Sequence, residues 1–583
     1  MSSDKEQTDK ELEIMRHSTA HVMAEAVQSI FPDVKFGIGP AIENGFYYDF
    51  DLPRTLTPDD LPLIETKMNE IIAQDRPFVR EEMTKEDARR LFAGQPFKLE
   101  LIDDIPDEKV SVYRQGSFVD LCRGPHLNST GEIKAFKLVN IAGAYWRGDE
   151  HRPMLQRIYG VAFDKEETLS EYLKQIAEAE RRDHRKLGTE LDLFSIHEEA
   201  GPGLVHWHPK GAVIRRVIED FWKDEHVKRG YDILYTPHIS KADLWRTSGH
   251  LEFYKDSMYS PMDVEGQEYI IKPMNCLGHI LIYKTRLHSY RELPLRYAEL
   301  GTVYRYERSG VLHGLSRVRG FTQDDAHIFC RFDQLEDEVA GVLDLARFMI
   351  GTFGFTNYQI FLSTRPEKAA GSLEAWEEAT ETLRKALVRS NIDYKIDPGE
   401  GVFYGPKIDI KFVDALGRGW QGPTIQVDFN LPQRFNATYV GEDSREHPVV
   451  MIHRTVLGSM ERFLACLIEH YGGAFPVWLA PVQVMIIPVA DRHLDYACKV
   501  EAELKTEGIR AKTDARSERV SLKIRQAQLD KIPYMLVIGD RELDTATISI
   551  RLRSGEQLSS QSLVNFKKAI KMAMVDKTKD LTL

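Results

Sequence analysis

The chain has 583 residues, 42% hydrophobic and 29% charged, with a formal charge of −13 from 77 Lys and Arg against 90 Asp and Glu. That length predicts three or four domains with cores of their own, and the composition excludes a disordered, collagenous or disulfide-scaffold protein. The acidic balance, taken alone, argues against a nucleic-acid partner. Five cysteines form an odd, sparse set that fits a reducing compartment.

Residues 1–13 are polar and acid-rich, unlike a secretory signal, and 1–10 read as an N-terminal tail. The most apolar stretch, 477–490, is short and interrupted by Pro481, Gln483 and Pro488, so no membrane partner and a cytoplasmic location are expected. No fixed-period repeat is present. A linker helix is predicted over 164–188, with Asp164 as N-cap, Glu167 at the capping-box position and Gly188 as its stop. Its apolar seam (Leu169, Leu173, Ile176) is narrow and its end is basic, which suits a bridge between a domain at 11–163 and one at 189–475.

The second region opens with a helix around 212–227 and an extended run at 231–236 halted by Pro237. Strand-like alternation follows at 296–305, 407–413 and 424–429, and a last helix at 458–471 ends on Gly472-Gly473. Beyond 476, apolar runs at 482–489, 534–538 and 546–552 alternate with helix-like runs at 494–506, 518–530 and 562–574, the rhythm of a compact α/β domain. Residues 499–583 hold 17 Lys and Arg against 12 Asp and Glu, so this segment is +5 and the first 498 residues carry −18.

Three constellations could carry chemistry. His17 and His21 share one helix face, and Cys122-Arg-Gly-Pro-His126 repeats the spacing with softer donors. With Lys98 and Asp120 nearby in sequence, the set suits either a metal or an acid–base pocket, against the plainer reading of surface histidines and a buried thiol. Cys276, His327 and His453 are a possible zinc set, although their spacing has no finger-like compactness and Cys330 and other histidines compete. Arg305-Tyr-Glu307, the basic loop 313–319 and Gly458-Ser-Met-Glu-Arg462 could grip a triphosphate. Neither a Walker loop nor a dinucleotide fingerprint occurs.

These residues resemble the threonyl-tRNA synthetases of bacterial type, class II aminoacyl-tRNA synthetases, from about Glu11 to the carboxyl terminus. Gly230-Tyr-Asp-Ile-Leu-Tyr-Thr-Pro237 looks like motif 1, Arg305-Tyr-Glu307 with Gly320-Phe-Thr-Gln-Asp-Asp-Ala-His327 like motif 2, and Gly458-Ser-Met-Glu-Arg462 like motif 3. The resemblance implies a multidomain α+β chain: an α+β editing domain, a class II antiparallel sheet flanked by helices, and a C-terminal α/β anticodon-binding domain. It implies ATP-dependent ligation of L-threonine to tRNA(Thr) through threonyl-adenylate, with hydrolysis of mischarged seryl-tRNA(Thr).

By the same resemblance, Arg305, Arg462 and Lys407 act in catalysis, and Arg305, Glu307, Arg317, Gln421, Thr424 and Arg462 bind ATP with magnesium. Met274, Gln323, Asp325, Tyr404 and Gln426 form the threonine pocket. Cys276, His327 and His453 fall where the family's zinc ligands fall, one ion per subunit, its role being substrate recognition. His17, His21, Lys98, Asp120, Cys122 and His126 correspond to the editing pocket. A related alanyl editing domain holds zinc through a similar set, whereas the threonyl pocket is expected to work with a positioned water. Ser517, Arg525, Glu542 and Arg551 match anticodon contacts, with Ser517 where the family often has Asn. Motif 1 implies a homodimer. Many bacterial members carry a small ubiquitin-like domain ahead of the editing domain, whereas here the His17 motif comes almost at once. Two other readings are a non-charging paralogue, opposed by intact Arg305, Glu307 and Arg462, and a zinc hydrolase, opposed by the absence of a His-Glu-x-x-His helix.

Overall fold

The computed structural model describes residues 2–402 and 404–581, which fall into two compact units, Met1–Ala177 and Glu178–Leu583. In the first, the helix Ser2–Ile30 lies on an antiparallel sheet built around the strands Gly45–Asp51, Met154–Phe163 and Ala135–Tyr145. Val22, Met23 and Val27 of that helix meet Phe46 and Phe50 of the sheet in one buried cluster. A smaller three-stranded sheet joins Val79–Thr84, Lys109–Gln115 and Phe118–Leu121. The expected tail is a correction: residues 2–10 are the first turns of the long helix, whose polar start shows no apolar period.

The linker is also corrected. Instead of one helix over 164–188 there are two, Glu166–Arg181 and His184–Glu190. Asp183 caps the second by accepting the Arg185 N–H at 2.7 Å. Gly188 lies inside that helix, where a Cβ would stand 2.2 Å from the Phe194 ring, so its role is close packing rather than a stop.

The second unit centres on an eight-stranded sheet. Its middle is antiparallel, in the order Leu295–Tyr304, Gly320–Cys330, Val450–Thr455, Gly419–Asp428, Lys407–Val413, Tyr358–Ser363, with short parallel strands Asp232–Ile233 and Lys395–Asp397 at the two edges. The helix Met460–Tyr471 packs beneath it through Phe463, Leu464, Leu467 and Ile468, each contributing about 1.5–3 kcal/mol of burial. Ser459 caps its start by accepting the Arg462 N–H at 3.3 Å, and Gly472 ends it in the left-handed conformation at φ 55°.

The C-terminal part carries a five-stranded mixed sheet, parallel among Ala511–Thr513, Val484–Pro488 and Tyr534–Ile538 and antiparallel beyond. Phe475, Trp478, Leu479 and Ala480 belong to the core under the eight-stranded sheet, whereas Val477 belongs to the core of the five-stranded sheet. Among the described residues no helix is long and apolar enough to cross a membrane.

Asp324, on the central strand, is fully buried and accepts from Arg454 Nη1 at 3.1 Å, from the Val456 N–H at 2.9 Å and from the Leu457 N–H. It ties the sheet to the turn that launches Met460–Tyr471. Asp324→Ala leaves Arg454 buried without its counter-charge and should cost about 3–5 kcal/mol. A fall in the urea midpoint followed by tryptophan fluorescence is expected, and an unchanged midpoint contradicts this role.

Candidate functional site

A cavity of about 440 Å³ opens over the eight-stranded sheet, and strand register explains its lining. Gln323, Asp325 and His327 are alternate residues of one strand and so share a face. His327 stands directly opposite His453, His453 opposite Gln426, and Gln426 opposite Lys407. Residues 126 positions apart are therefore neighbours in one cross-strand row. Every residue expected to hold ATP, threonine or metal lines this cavity, whereas Lys407, expected in catalysis, does not. That side chain is instead paired with Asp409 at 2.8 Å, and Asp409 also accepts from Gln421 Nε2 and Thr424 Oγ1, both at 2.9 Å.

The metal donors converge. The ligand atoms of Cys276, His327 and His453 lie within 4.8 Å of one another, with His327 Nε2 3.0 Å from His453 Nδ1. Two nitrogens on one tetrahedral zinc stand about 3.3 Å apart, given bonds of about 2.0–2.1 Å. Burial holds the His327 imidazole well below its ordinary pKa, in the neutral form that offers a lone pair, and pushes the Cys276 thiol up so that only a nearby cation draws off its proton. Asp428 Oδ2, 2.9 Å from His453 Nε2, accepts that N–H and leaves Nδ1 free to ligate. One sulfur and two imidazole nitrogens in a dry wall fit zinc with an open position.

Beside this set sits a cluster of arginines. Arg305 donates through Nε to the Pro273 carbonyl at 3.3 Å and lies over the rings of Phe321 and Tyr254. Arg462 donates to the Ser316 carbonyl at 3.1 Å; burial, then the charges of Arg305 and Arg317, draw its pKa down. Three guanidinium groups beside the N-terminus of the 12-residue helix Met460–Tyr471 make a site that an anion relieves. Arg317 meanwhile pairs with Glu307 at 3.1 Å. On the metal side, Asn275 Nδ2 donates to Asp325 Oδ2 at 3.1 Å, and burial raises the Asp325 pKa. Tyr404 donates to Gln426 Oε1 at 2.5 Å, and Met274 Sδ lies 3.1 Å from His250 Nε2.

The N-terminal constellation also assembles. His17 and His21, one turn apart on Ser2–Ile30, meet Cys122 and His126, which follow the strand Phe118–Leu121; the four donors lie within 4.8 Å of one another. Cys122 Sγ is 3.4 Å from His17 Nε2 and 3.3 Å from His126 Nε2. Burial lowers the pKa of all three imidazoles and pushes the Cys122 thiol up to about 11. Asp120 accepts from Lys98 Nζ and Tyr48 Oη, each at 2.5 Å, and its Oδ2 is 3.6 Å from His21 Nε2. Tyr48 carries no sequence signal for this role: it lies between Phe46 and Phe50, all three are fully buried, and only its hydroxyl distinguishes it. Asp428 likewise carries no spacing signal, since its partner His453 is 25 positions away.

The expected anticodon contacts are less uniform. Ser517 and Arg525 are exposed, the first before and the second on the helix Val520–Leu529, and Arg551 is on the strand Thr547–Leu552. Glu542 departs from expectation: it is buried, accepting the Gly539 N–H at 2.9 Å and the Ser549 hydroxyl at 2.6 Å as a helix cap.

Comparison with known proteins accords with this geometry. Residues 257–471 match the tRNA synthetase class II core domain (G, H, P, S and T), 483–572 the anticodon binding domain, and 110–159 the threonyl and alanyl tRNA synthetase second additional domain. The chain is 67% identical over 554 residues to the threonine–tRNA ligase of Dehalococcoides mccartyi (strain CBDB1), covering 95% of each. It is 57% identical over 555 residues to that of Acidithiobacillus ferrooxidans (strain ATCC 53993 / BNL-5-31), covering 95% of this chain and 86% of the relative. The crystal structure of the RNA binding domain of threonyl-tRNA synthetase from Cryptosporidium parvum Iowa II superposes with a TM-score of 0.65 at 42% identity, covering 67% of this chain and 98% of that one. Class II core, anticodon-binding and editing modules thus occur together in one chain, which belongs to the threonine–tRNA ligases of the class II aminoacyl-tRNA synthetases.

Proposed function

We propose that the cavity over the eight-stranded sheet activates threonine around a zinc ion held by Cys276, His327 and His453, and that the pocket at His17, His21, Cys122 and His126 removes serine from tRNA(Thr). The observation that carries this reading is the meeting of a sulfur–nitrogen donor set and a guanidinium cluster in one cavity. When bound, zinc supplies recognition of an amino group and a hydroxyl together, which valine cannot satisfy.

The residues divide the rest of the work. Asp325, oriented by Asn275, takes the amino group of threonine, while Tyr404, Gln426, Gln323 and Met274 enclose its side chain. The substrate carboxylate attacks the α-phosphorus of ATP, the bridging P–O bond to the β-phosphate breaks, and pyrophosphate leaves with that electron pair. Arg305 stabilises the charge on the α-phosphoryl oxygens, and Arg462 with the helix N-terminus grips the far phosphate. Glu307 orients the adenine; Arg317 exchanges its carboxylate partner for the departing pyrophosphate. Gln421 and Thr424, fixed by Asp409, complete the nucleotide side. Lys407 acts through Asp409 as a positioning residue.

Serine keeps both groups that distinguish threonine from valine and lacks one methyl, worth about 1–3 kcal/mol, too little for accurate charging. Editing covers that gap. Burial disfavours the charged form of His17, His21 and His126, so their imidazoles offer lone pairs to a water that attacks the seryl carbonyl; the ester C–O bond breaks, serine is released and the tRNA ribose oxygen leaves as its hydroxyl, while Lys98, Asp120 and Tyr48 fix one wall. Magnesium accompanies ATP in this family. The basic segment 499–583 suits tRNA phosphates through Ser517, Arg525 and Arg551, with Glu542 holding its helix. The helix Pro209–Lys228 and the strand after it, with Tyr235 78% exposed, support a symmetric homodimer.

ATP–pyrophosphate exchange tests the first cavity. Threonine should support exchange, serine about 10–200-fold less efficiently, and valine less by about 10⁴-fold or more. Absence of threonine-dependent exchange, or valine equal to threonine, defeats the reading.

For the second pocket, Tyr48→Phe removes a hydrogen bond to a buried carboxylate worth about 1.5–3 kcal/mol. Deacylation of seryl-tRNA(Thr) should slow by about 10–100-fold with threonine charging unchanged. Wild-type deacylation in this variant refutes the role given to Tyr48.

A further inference from the structure

Behind the proposed zinc site runs a buried chain of groups that the reaction as described does not use. His327 Nδ1, the nitrogen turned away from the ligand set, is 2.9 Å from His279 Nδ1, and His279 Nε2 is 3.2 Å from Glu299 Oε2. All three residues are buried, His279 completely. Each comes from a different element: His327 from the strand Gly320–Cys330, Glu299 from its neighbour Leu295–Tyr304, and His279 from the helix Cys276–Tyr283, one turn after the cysteine ligand.

The far end of the chain has a fixed polarity. Glu299 Oε1 accepts the Thr236 backbone N–H at 2.9 Å and lies 3.4 Å from Lys272 Nζ. A backbone N–H can only donate, and Lys272 Nζ donates to the Thr236 hydroxyl at 2.8 Å, whose own proton goes to Glu299 Oε2 at 2.8 Å, so both carboxylate oxygens are held as acceptors. His279 must then donate from Nε2, which leaves its Nδ1 with a lone pair. That lone pair accepts the His327 Nδ1–H, and His327 Nε2 is left free to ligate.

We propose that Glu299 and His279 form a two-step relay that selects the metal-binding tautomer of His327 and so sets the zinc affinity of the threonine cavity. The two imidazole ligands are then fixed differently. His453 is held by a carboxylate directly, through Asp428, whereas His327 is held by a carboxylate acting through a second imidazole. His279 and Glu299 are positioning residues, and the proposal rests on the zinc reading above.

Glu299→Gln reverses the relay. The Thr236 N–H demands an oxygen at the Oε1 position, so the amide NH₂ must face His279 Nε2. His279 then carries its proton on Nδ1, against the His327 Nδ1–H, and His327 is driven to the tautomer that cannot ligate. This variant also deprives buried Lys272 of its counter-charge and could disturb the fold. His279→Leu and His279→Asn keep Glu299 in place and carry the decision. Leu offers no acceptor, whereas the Asn Oδ1 stands in for Nδ1 and accepts from His327.

The experiment is a zinc competition titration of the full chain against a chelator, with circular dichroism melting of each apo variant as the folding check. Wild type should bind one zinc per chain. E299Q and H279L should bind it about 10–100-fold more weakly. H279N should stay within about threefold of wild type, since a matching acceptor costs under 1 kcal/mol. Equal affinity in H279L and wild type overturns the relay alone. So does an H279N as weak as H279L, because imidazole bulk rather than an acceptor would then be the requirement. A wild-type chain that binds no zinc defeats the zinc reading, and the relay with it.

Discussion

The register of three antiparallel strands, Gly320–Cys330, Val450–Thr455 and Gly419–Asp428, is the constraint on which the catalytic unit depends. Side chains alternate along a strand, so a slip of one residue would turn His327, His453 and Gln426 into the core and bring Ile328, Ile452 and Val427 out into the cavity. Those three aliphatic side chains are fully buried on the opposite face, and their burial holds the polar row in place. The buried Asp324–Arg454 pair adds a polar pin to the same register. The sulfur and imidazole donors, the amide side chains and the guanidinium groups of the cavity are thus consequences of one pairing pattern formed by segments far apart in the chain.

The site carries a charge imbalance that its substrates resolve. Arg305, Arg317 and Arg462 crowd together where burial already disfavours the charge on Arg462, so a polyphosphate relieves a repulsion the protein has built in. On the other side, buried Asp325 accepts from Asn275 Nδ2 and presents negative charge to the cavity. The two halves of the cavity therefore differ in charge, one suited to an anion and the other to a cation. What charge cannot separate is threonine from serine, and that is why a second pocket, built from an unrelated fold, accompanies the first.

Much of this was legible in the sequence where the physics is local. The helix Met460–Tyr471 sits between its cap Ser459 and Gly472, and the strands Lys407–Val413 and Tyr534–Ile538 match their alternation and apolar runs residue for residue. The linker misread has a local cause too: Asp183 offers a second cap in mid-helix, and Gly188 serves packing against Phe194. The N-terminal pocket was legible as two pairs at four-residue spacing, whereas the cavity over the eight-stranded sheet was not, because cross-strand neighbours 126 positions apart leave no pattern in a window of residues. Residue types offered Cys276, His327 and His453 as one possible zinc set among competitors, and the family resemblance singled it out. Tyr48, Asp428 and His279 escaped both, since a buried tyrosine, aspartate or histidine reveals its partner only when the chain is folded. Net charge misled for a simpler reason: −13 averages an acidic body over a basic C-terminal segment.

X-ray absorption at the zinc edge tests the centre of the account most directly, because it reads donor type and distance without reference to activity. The zinc-loaded chain should show one sulfur at about 2.3 Å and two imidazole nitrogens at about 2.0–2.1 Å, with light-atom scatterers completing the shell. Addition of threonine should change the light-atom part of that shell alone. A shell with no sulfur, or one unaltered by threonine, would contradict the placement of zinc at Cys276, His327 and His453 and the recognition built on it.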